Sequence, residues 1–391
     1  MRLGDCGKTN LHTYSDKEKW SLIRYLDTGS ITEGRIDEIQ TLYPGVDKIP
    51  SRARRKASVG DILFSTVRPN QKHYGIIEAG TENLLVSTGF TVVTVDTTIA
   101  DPYFIYYYLT QSSVIESLQA IAEQSTSTYP SIKPSDIEDI ELDLPELETQ
   151  KKIGSTLRML DRKIALNEEI NDNLEQQAQS YFQELFVDNA DPEWTTGTIS
   201  DLGTVVGGST PSKAKPEYYT ESGIAWITPK DLSNNKSKFV SHGENDITEL
   251  GLRNSSASIM PEGTVLFSSR APIGYTAIAA GEVTTNQGFK SVVPKPEIGT
   301  PFVYFFLKNT LPVIEGMASG STFKEVSGST MKNVPAVIPD AETLAKFSDF
   351  CAPIFAQQRI LEEQNQSLAT LRDNLLPKLM SGEIDVSAVQ L

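Results

Sequence analysis

The second half of this chain repeats the first, and a duplication of that length constrains the fold more than any other feature of the sequence. Leu3-Gly4-Asp5-Cys6-Gly7 is answered by Ile199-Ser200-Asp201-Leu202-Gly203, and Gly60-Asp61-Ile62-Leu63-Phe64-Ser65 by Gly263-Thr264-Val265-Leu266-Phe267-Ser268. An Arg-Pro element follows each, Arg68-Pro69 and Arg270-Ala271-Pro272. Gly89-Phe90 answers Gly288-Phe289, and Pro102-Tyr103-Phe104 answers Pro301-Phe302-Val303. From Ser127-Thr128-Tyr129 against Ser321-Thr322-Phe323 the offset is 194 residues, and it holds through Asn171/Asn365 and Leu174/Leu368. Single pairs carry little weight; their common order and spacing establish the repeat.

Each repeat has a front and a back. The fronts carry short β-branched and aromatic runs broken by Gly, Pro, Ser and Asn, which predicts strands over Asp61–Val67, Gly89–Val95, Val265–Ser269 and Gly288–Val293. Tyr103–Leu109 and Phe302–Leu307 fit a short helix or a strand equally, since periodicity does not arbitrate runs so short.

The backs read as helices. Ile153, Leu157, Leu160, Ile164, Asn167, Asn171, Leu174, Ala178, Tyr181 and Leu185 recur at alternating steps of four and three, the a/d seam of a coiled coil. The second repeat offers Phe347, Cys351, Ile354, Gln358, Leu361, Asn365, Leu368, Arg372, Leu375 and Leu379. Pro353 should kink this second helix and Pro377 end it one turn early, while Asp340 suits its N-cap. Two seams in one chain most simply bury each other, and duplication favours an antiparallel pair with Asn171 and Asn365 near the crossing, where a seam Asn fixes register. A helix of roughly 39 residues would be about 58 Å long, more than one ~34 Å turn of DNA. The plainer alternative is two helices that each pack on their own domain. The expected architecture is α+β: two mixed α/β domains, residues 1–144 and 191–339, joined by helices within 145–190 and 340–391 that pair as an antiparallel coiled coil.

Known catalytic patterns are not found. Gly4-Asp5-Cys6-Gly7-Lys8-Thr9 ends like a phosphate loop, but Arg2 stands where that motif needs glycine. His12, His73 and His242 are scattered, and Cys6 and Cys351 form no CxxC pair, so no metal site is expected. No apolar run approaches a membrane span, and a reducing cytoplasm is the expected compartment.

A net charge of −16 argues at first against nucleic acid. The acid is unevenly placed, however: residues 81–210 hold 22 acidic and 6 basic side chains, whereas residues 1–80 hold 10 and 13. Local fields follow local distributions. Arg52, Arg54, Arg55 and Lys56 form a basic run, with Arg68, Asn70, Lys72 and His73 one strand later. The second repeat offers Thr210, Lys213, Lys215, Lys230, Asn234, Asn235, Lys236, Lys238 and Arg270. Lys and Arg neutralise phosphates, and Arg and Asn read base edges. Thr128 and Tyr129, with Thr322 and Lys324 in the second repeat, add hydroxyls and a cation at matching places.

These residues resemble a known family, the specificity subunit of type I restriction–modification systems. Leu144-Pro145-Glu146-Leu147-Glu148-Thr149-Gln150-Lys151-Lys152-Ile153 with Leu160-Asp161-Arg162-Lys163-Ile164 is similar to its first conserved helix, and Leu375-Leu376-Pro377-Lys378-Leu379-Met380-Ser381-Gly382 to its ending. Gly208-Ser209-Thr210-Pro211-Ser212 and Ile224-Ala225-Trp226-Ile227-Thr228-Pro229 resemble one type of target-recognition domain; Pro50–Arg55 through Thr66–Pro69 resembles another. Leu344 departs from the pattern, standing where the first helix has Gln150. The resemblance implies a non-catalytic subunit that binds double-stranded DNA, with one half of a split, asymmetric target read by each domain and the helices setting the gap. It implies two modification subunits carrying S-adenosylmethionine, and restriction subunits using ATP and magnesium; this chain would hold no cofactor. A coiled-coil adaptor binding only proteins is the alternative. Arg54→Ala or Arg55→Ala should then weaken DNA binding by the assembled complex and flatten its dependence on salt, measured as affinity over a salt series.

Overall fold

In the computed structural model, which describes every residue except 16, 126–128, 271, 321–323 and 387–391, the sequence repeat becomes a repeat of strand order. The first half builds an antiparallel sheet in the order Gly7–Thr9, Phe90–Val95, Ile62–Ser65, Tyr74–Ile76. The second uses Gly203–Gly207, Lys290–Pro294, Val265–Ser269 and Ile273–Ala279 in the same order, then adds Phe239–Val240 as a parallel edge strand. Ile62–Ser65 and Val265–Ser269 are buried along their whole length, so they read as unbroken runs and not as alternation. A one-turn helix precedes the first strand of each sheet. Its leading N–H groups bond equivalent carbonyls, Leu3 to Ile140 at 2.9 Å and Ile199 to Val334 at 3.0 Å.

The ambiguous runs are helical, within Pro102–Leu109 and Thr300–Asn309. Proline in the first turn favours a helix start, and in the first repeat the Asp101 carboxylate accepts the Phe104 N–H. Both helices are buried nearly all round, which erases the amphipathic period that would have announced them.

The chain divides into two compact units, Met1–Ile164 with Ser367–Leu391, and Ala165–Gln366. The first long helix, Leu147–Gln183, and the second, Ala341–Met380, each contribute to both. In the first unit, Ile153 and Leu157 share a core with Phe64, Phe104 and Leu118, and Leu379 and Val386 complete it from the far end of the chain. Gly154 lets this helix lie against the start of Pro102–Leu109: a Cβ there would meet Asp101 Oδ1 at 2.6 Å and Phe104 N at 3.0 Å. Buried Gln150 accepts the Asp101 N–H at 3.0 Å and donates to the Pro145 carbonyl at 2.8 Å. Its counterpart Leu344 is simply buried in the apolar core of the second unit. Asp161 ties the elements together, accepting from Tyr107 Oη at 2.5 Å and from Arg372 at 2.7 Å.

Within the second unit the pairing of the long helices is antiparallel. Tyr181 meets Phe350 at 4.5 Å, Gln358 donates to the Asn171 carbonyl at 3.2 Å, and Asn167 donates to Asn365 Oδ1 at 2.8 Å. Every expected seam position, including Ile153, Leu160, Ile164, Leu174, Ile354, Leu361 and Leu368, is buried or half-buried. Asp340 caps the second helix through the Thr343 N–H at 2.9 Å.

One expectation needs correction. Pro377 does not end the second helix one turn early: the helix runs unbroken past both Pro353 and Pro377 to Met380. Each proline is exposed, as are Asp349 and Asp373 four residues earlier, so the carbonyls that lose an N–H partner are on the solvent side, where water can serve them. Asn171 and Asn365 lie near the crossing as expected: Asn365 Oδ1 accepts from Asn167, and the Asn171 carbonyl accepts from Gln358. The repeat equivalent of Asn167 is Leu361, so the mirror image of the Asn167–Asn365 bond has no second amide. Asn171 Oδ1 and Asn167 Oδ1 are both buried without a hydrogen-bond partner among the described residues, but Asn167 still donates through Nδ2 to Asn365. Asn171→Leu should therefore raise stability, whereas Asn167→Leu, which also removes the bond to Asn365, should be the less stable of the two variants by about 0.5–1.5 kcal/mol; equilibrium denaturation of both checks the order.

Candidate nucleic-acid interface

One corner of the sheet is built alike in both repeats, and each carries an exposed or half-exposed arginine. Where Ile62–Ser65 ends, Thr66 donates its N–H and its hydroxyl to the Gly89 carbonyl at 2.8 and 2.9 Å. Ser269 does the same to Gly288 at 2.7 and 3.1 Å. Each strand end then accepts an N–H from a later loop at 2.9 Å, Ile132 to Thr66 and Val326 to Ser269. These bonds fix the backbone from which Arg68 and Arg270 leave.

Arg68 sits in the left-handed region at φ 48°, a conformation that costs a side-chain-bearing residue and persists only where its surroundings impose it. Its N–H bonds the Pro130 carbonyl at 3.0 Å, and its guanidinium lies 5.5 Å from the Tyr129 ring. This cation–π contact holds the guanidinium of an otherwise exposed arginine beside the ring, a setting suited to phosphate or guanine recognition. Asn70 is exposed nearby, its N–H on Gln119, while Lys72 is ion-paired with Glu33. In the second unit Arg270 bridges backbone to backbone with Glu325, and Lys324 beside it is exposed. Thr210 bonds Gln287, one residue before Gly288. Gly208 makes that approach possible, since a Cβ would lie 1.9 Å from the Asn286 carbonyl. Lys290 donates to the Gln287 and Phe289 carbonyls, and burial lowers its pKa. Gln287 and Lys290 escaped the sequence reading, although they flank the repeated Gly-Phe turn that could have pointed to them. Thr128 and Thr322 lie outside the described residues.

The basic run of the first unit is divided by the strand it occupies, Ala53–Lys56. A bulge between Ala53 and Arg55 interrupts the alternation of the strand, so Ala53 and Arg54 both reach one side. Arg54 lines an open cleft of about 430 Å³ with Tyr14, Lys19, Trp20, Pro44 and Pro50. Lys56 joins that side, paired with Glu18 and 5.2 Å from the Trp20 ring. Arg52 is exposed in the preceding turn. Arg55 points the other way: its guanidinium bonds Asn10 Oδ1 and the Phe90 carbonyl inside the unit. This sheet, ordered Gln40–Leu42, Ile23–Leu26, Leu84–Ser87, Ala53–Lys56, has no counterpart in the second unit. The arginine corner therefore belongs to the shared frame, and the cleft to an insert peculiar to the first domain.

In the second unit Lys213 is exposed, Lys215 bonds Tyr218 Oη at 3.1 Å, and Lys230 pairs with Glu244 at 2.6 Å. Asn234, Asn235 and Lys236 are exposed, but Lys238 departs from its expected place on that surface. Its ammonium is buried, 2.7 Å from Glu175 and 2.9 Å from Gln358 Oε1, because three aromatic rings and both long helices close around it. Burial drives its pKa down to about 8 against the pull of Glu175. The same burial would raise Glu175, but Lys238 and Lys308 outweigh it and hold the carboxyl at about 2. Among the described residues no three His, Cys, Asp or Glu gather as a metal site, and no helix is long and apolar enough to cross a membrane.

Arg55→Ala should thus act on stability, by about 1–3 kcal/mol, with the salt dependence of DNA binding unchanged. Arg68→Ala should leave stability intact and reduce the log–log salt slope by about 1; denaturation and binding over a salt series separate the two.

Comparison with known proteins gives one family. The type I restriction modification DNA specificity domain matches twice, at residues 53–176 and 192–371. The HindI specificity subunit of Haemophilus influenzae is 25% identical over 98% of this chain and 98% of its own. The MjaIX specificity subunit of Methanocaldococcus jannaschii is 39% identical over 47% of this chain and 45% of its own. Among solved structures, the type I restriction–modification S subunit from M. genitalium matches with a TM-score of 0.56 at 18% identity, covering 97% of this chain and 95% of that one.

Proposed function

This chain belongs to the type I restriction modification DNA specificity family, and we propose that it reads a two-part DNA target as the recognition subunit of a type I restriction–modification complex, one half-site per domain. The observation that carries this reading is the shared arginine corner set beside unlike inserts. A common corner suits what two DNA readers must do alike, holding phosphates in register. Unlike inserts suit what they must do differently, reading bases. The half-sites should therefore differ, giving an asymmetric target. In the first domain the Trp20 cleft, with Arg54 and Lys19 on its rim, is the place to look for base discrimination.

The helices would serve as spacer, since each contributes to both units, and linking two weak readers raises avidity when the spacing fits. The chemistry falls to partners: two modification subunits holding S-adenosylmethionine, and restriction subunits using ATP and magnesium, all in the cytoplasm. A protein-only adaptor has no use for two arginine corners built to one plan, and its relatives bear the names of restriction-enzyme specificity subunits. With a net charge of −16, the chain alone should bind DNA weakly, the partners completing the positive surface.

Methylome sequencing of a host carrying the chain with its modification subunit tests the reading. Methylated adenine at one split motif with unequal halves is expected, and exchange of residues 1–144 for another such domain should change one half only. A palindromic motif, or no new methylation, contradicts it.

A further inference from the structure

The buried lysine of the second unit has a purpose that core packing does not explain. Lys238 lies two residues after Lys236, at the end of the exposed basic loop that follows the helix Pro229–Asn234. Its Nζ reaches Glu175 at 2.7 Å on the first long helix and Gln358 at 2.9 Å on the second. Phe355, Tyr304 and Phe305 surround it, with ring centroids at 3.5, 4.5 and 5.1 Å. Glu362 takes the N–H groups of both Lys238 and Phe239, at 2.7 and 3.0 Å. The strand that begins here, Phe239–Val240, is the one the first unit's sheet lacks. Arg359 adds a bond from the second long helix to the Ala280 carbonyl at 3.0 Å, beside that strand's partner.

An aromatic cage of this kind would hold a methionine without the cost of burying a charge, and ion pairs of this sort are often no more stabilising than apolar packing. What the ammonium adds is direction. Its donors reach oxygens on two different helices, so one seating of the loop satisfies them and a shifted seating leaves a buried charge unpaired.

We propose that Lys238 is a positioning residue for target recognition: by engaging Glu175 and Gln358 it fixes the seat of the basic segment Lys230–Lys236, the short helix and the loop after it, on the helix pair, and so the gap at which the second half-site is accepted. This rests on the reading of the chain as a two-part DNA recognition subunit. Loss of the ammonium should loosen the gap while the bases read by the first domain stay the same.

The test compares methylomes of a host expressing the modification subunit with the wild-type chain, with Lys238→Met, or with the double variant Lys238→Met/Glu175→Leu. The double variant leaves neither member of the pair buried alone, so it keeps the test open if the single variant folds poorly. Expected is at least a ten-fold rise in methylation at sites whose gap differs by one base pair, relative to the wild-type motif, with the first half-site unaltered. Unchanged gap preference in a folded variant overturns the proposal. So does a uniform fall in methylation with preference intact, which is what a purely structural contact would give. A wild-type chain that yields no split motif overturns the functional reading, and this inference with it.

Discussion

The antiparallel seam between the two long helices is the constraint on which the remainder depends. Each helix contributes to both compact units, and the core of each unit includes residues from a long helix. Leu379 and Val386 finish the core of the first unit; Ala178 and Phe182 finish that of the second beside Phe347 and Cys351. Within the second unit, a slip by one turn would break Asn167 from Asn365 and Gln358 from the Asn171 carbonyl. Apolar contacts tolerate such a slip far better than directed polar ones, which is why the few polar seam residues matter beyond their number.

On this foundation two copies of one sheet diverge. The frame keeps the same strand order, the same helix-to-strand entry and the same hydroxyl-bearing residue donating twice to a glycine carbonyl. The inserts differ: the first unit has a second four-stranded sheet and a cleft, while the second has short two-stranded ladders and an added edge strand. Divergence confined to inserts lets a duplicated reader acquire a second specificity without disturbing how it is held by the helices.

The charge distribution shows how easily a global quantity misleads. Much of the acid in residues 81–210 is occupied in structure: Asp101 as a helix cap, Asp161 and Glu175 as the carboxylates that tie domain to helices, Glu138 bonded to Thr9. Basic residues are similarly divided. Arg55 and Lys238 serve the interior, while Arg52, Arg68, Lys213, Lys236 and Lys324 face solvent.

The sequence by itself determined the duplication, the seam, the Asp340 cap and the family, because repeats, heptads and caps are short-range patterns written in residue order. It left Pro102–Leu109 and Thr300–Asn309 undecided, since a helix buried nearly all round has no polar face to mark its period. Only the tertiary structure decided that Pro353 and Pro377 stay within a helix, because that depends on which face meets water. It alone decided that Arg55 and Lys238 turn inward while Arg52 and Lys236 do not. Basic residues close together look alike in sequence; a bulged strand, and the arrival of Asn10 or Glu175 from far along the chain, make them different.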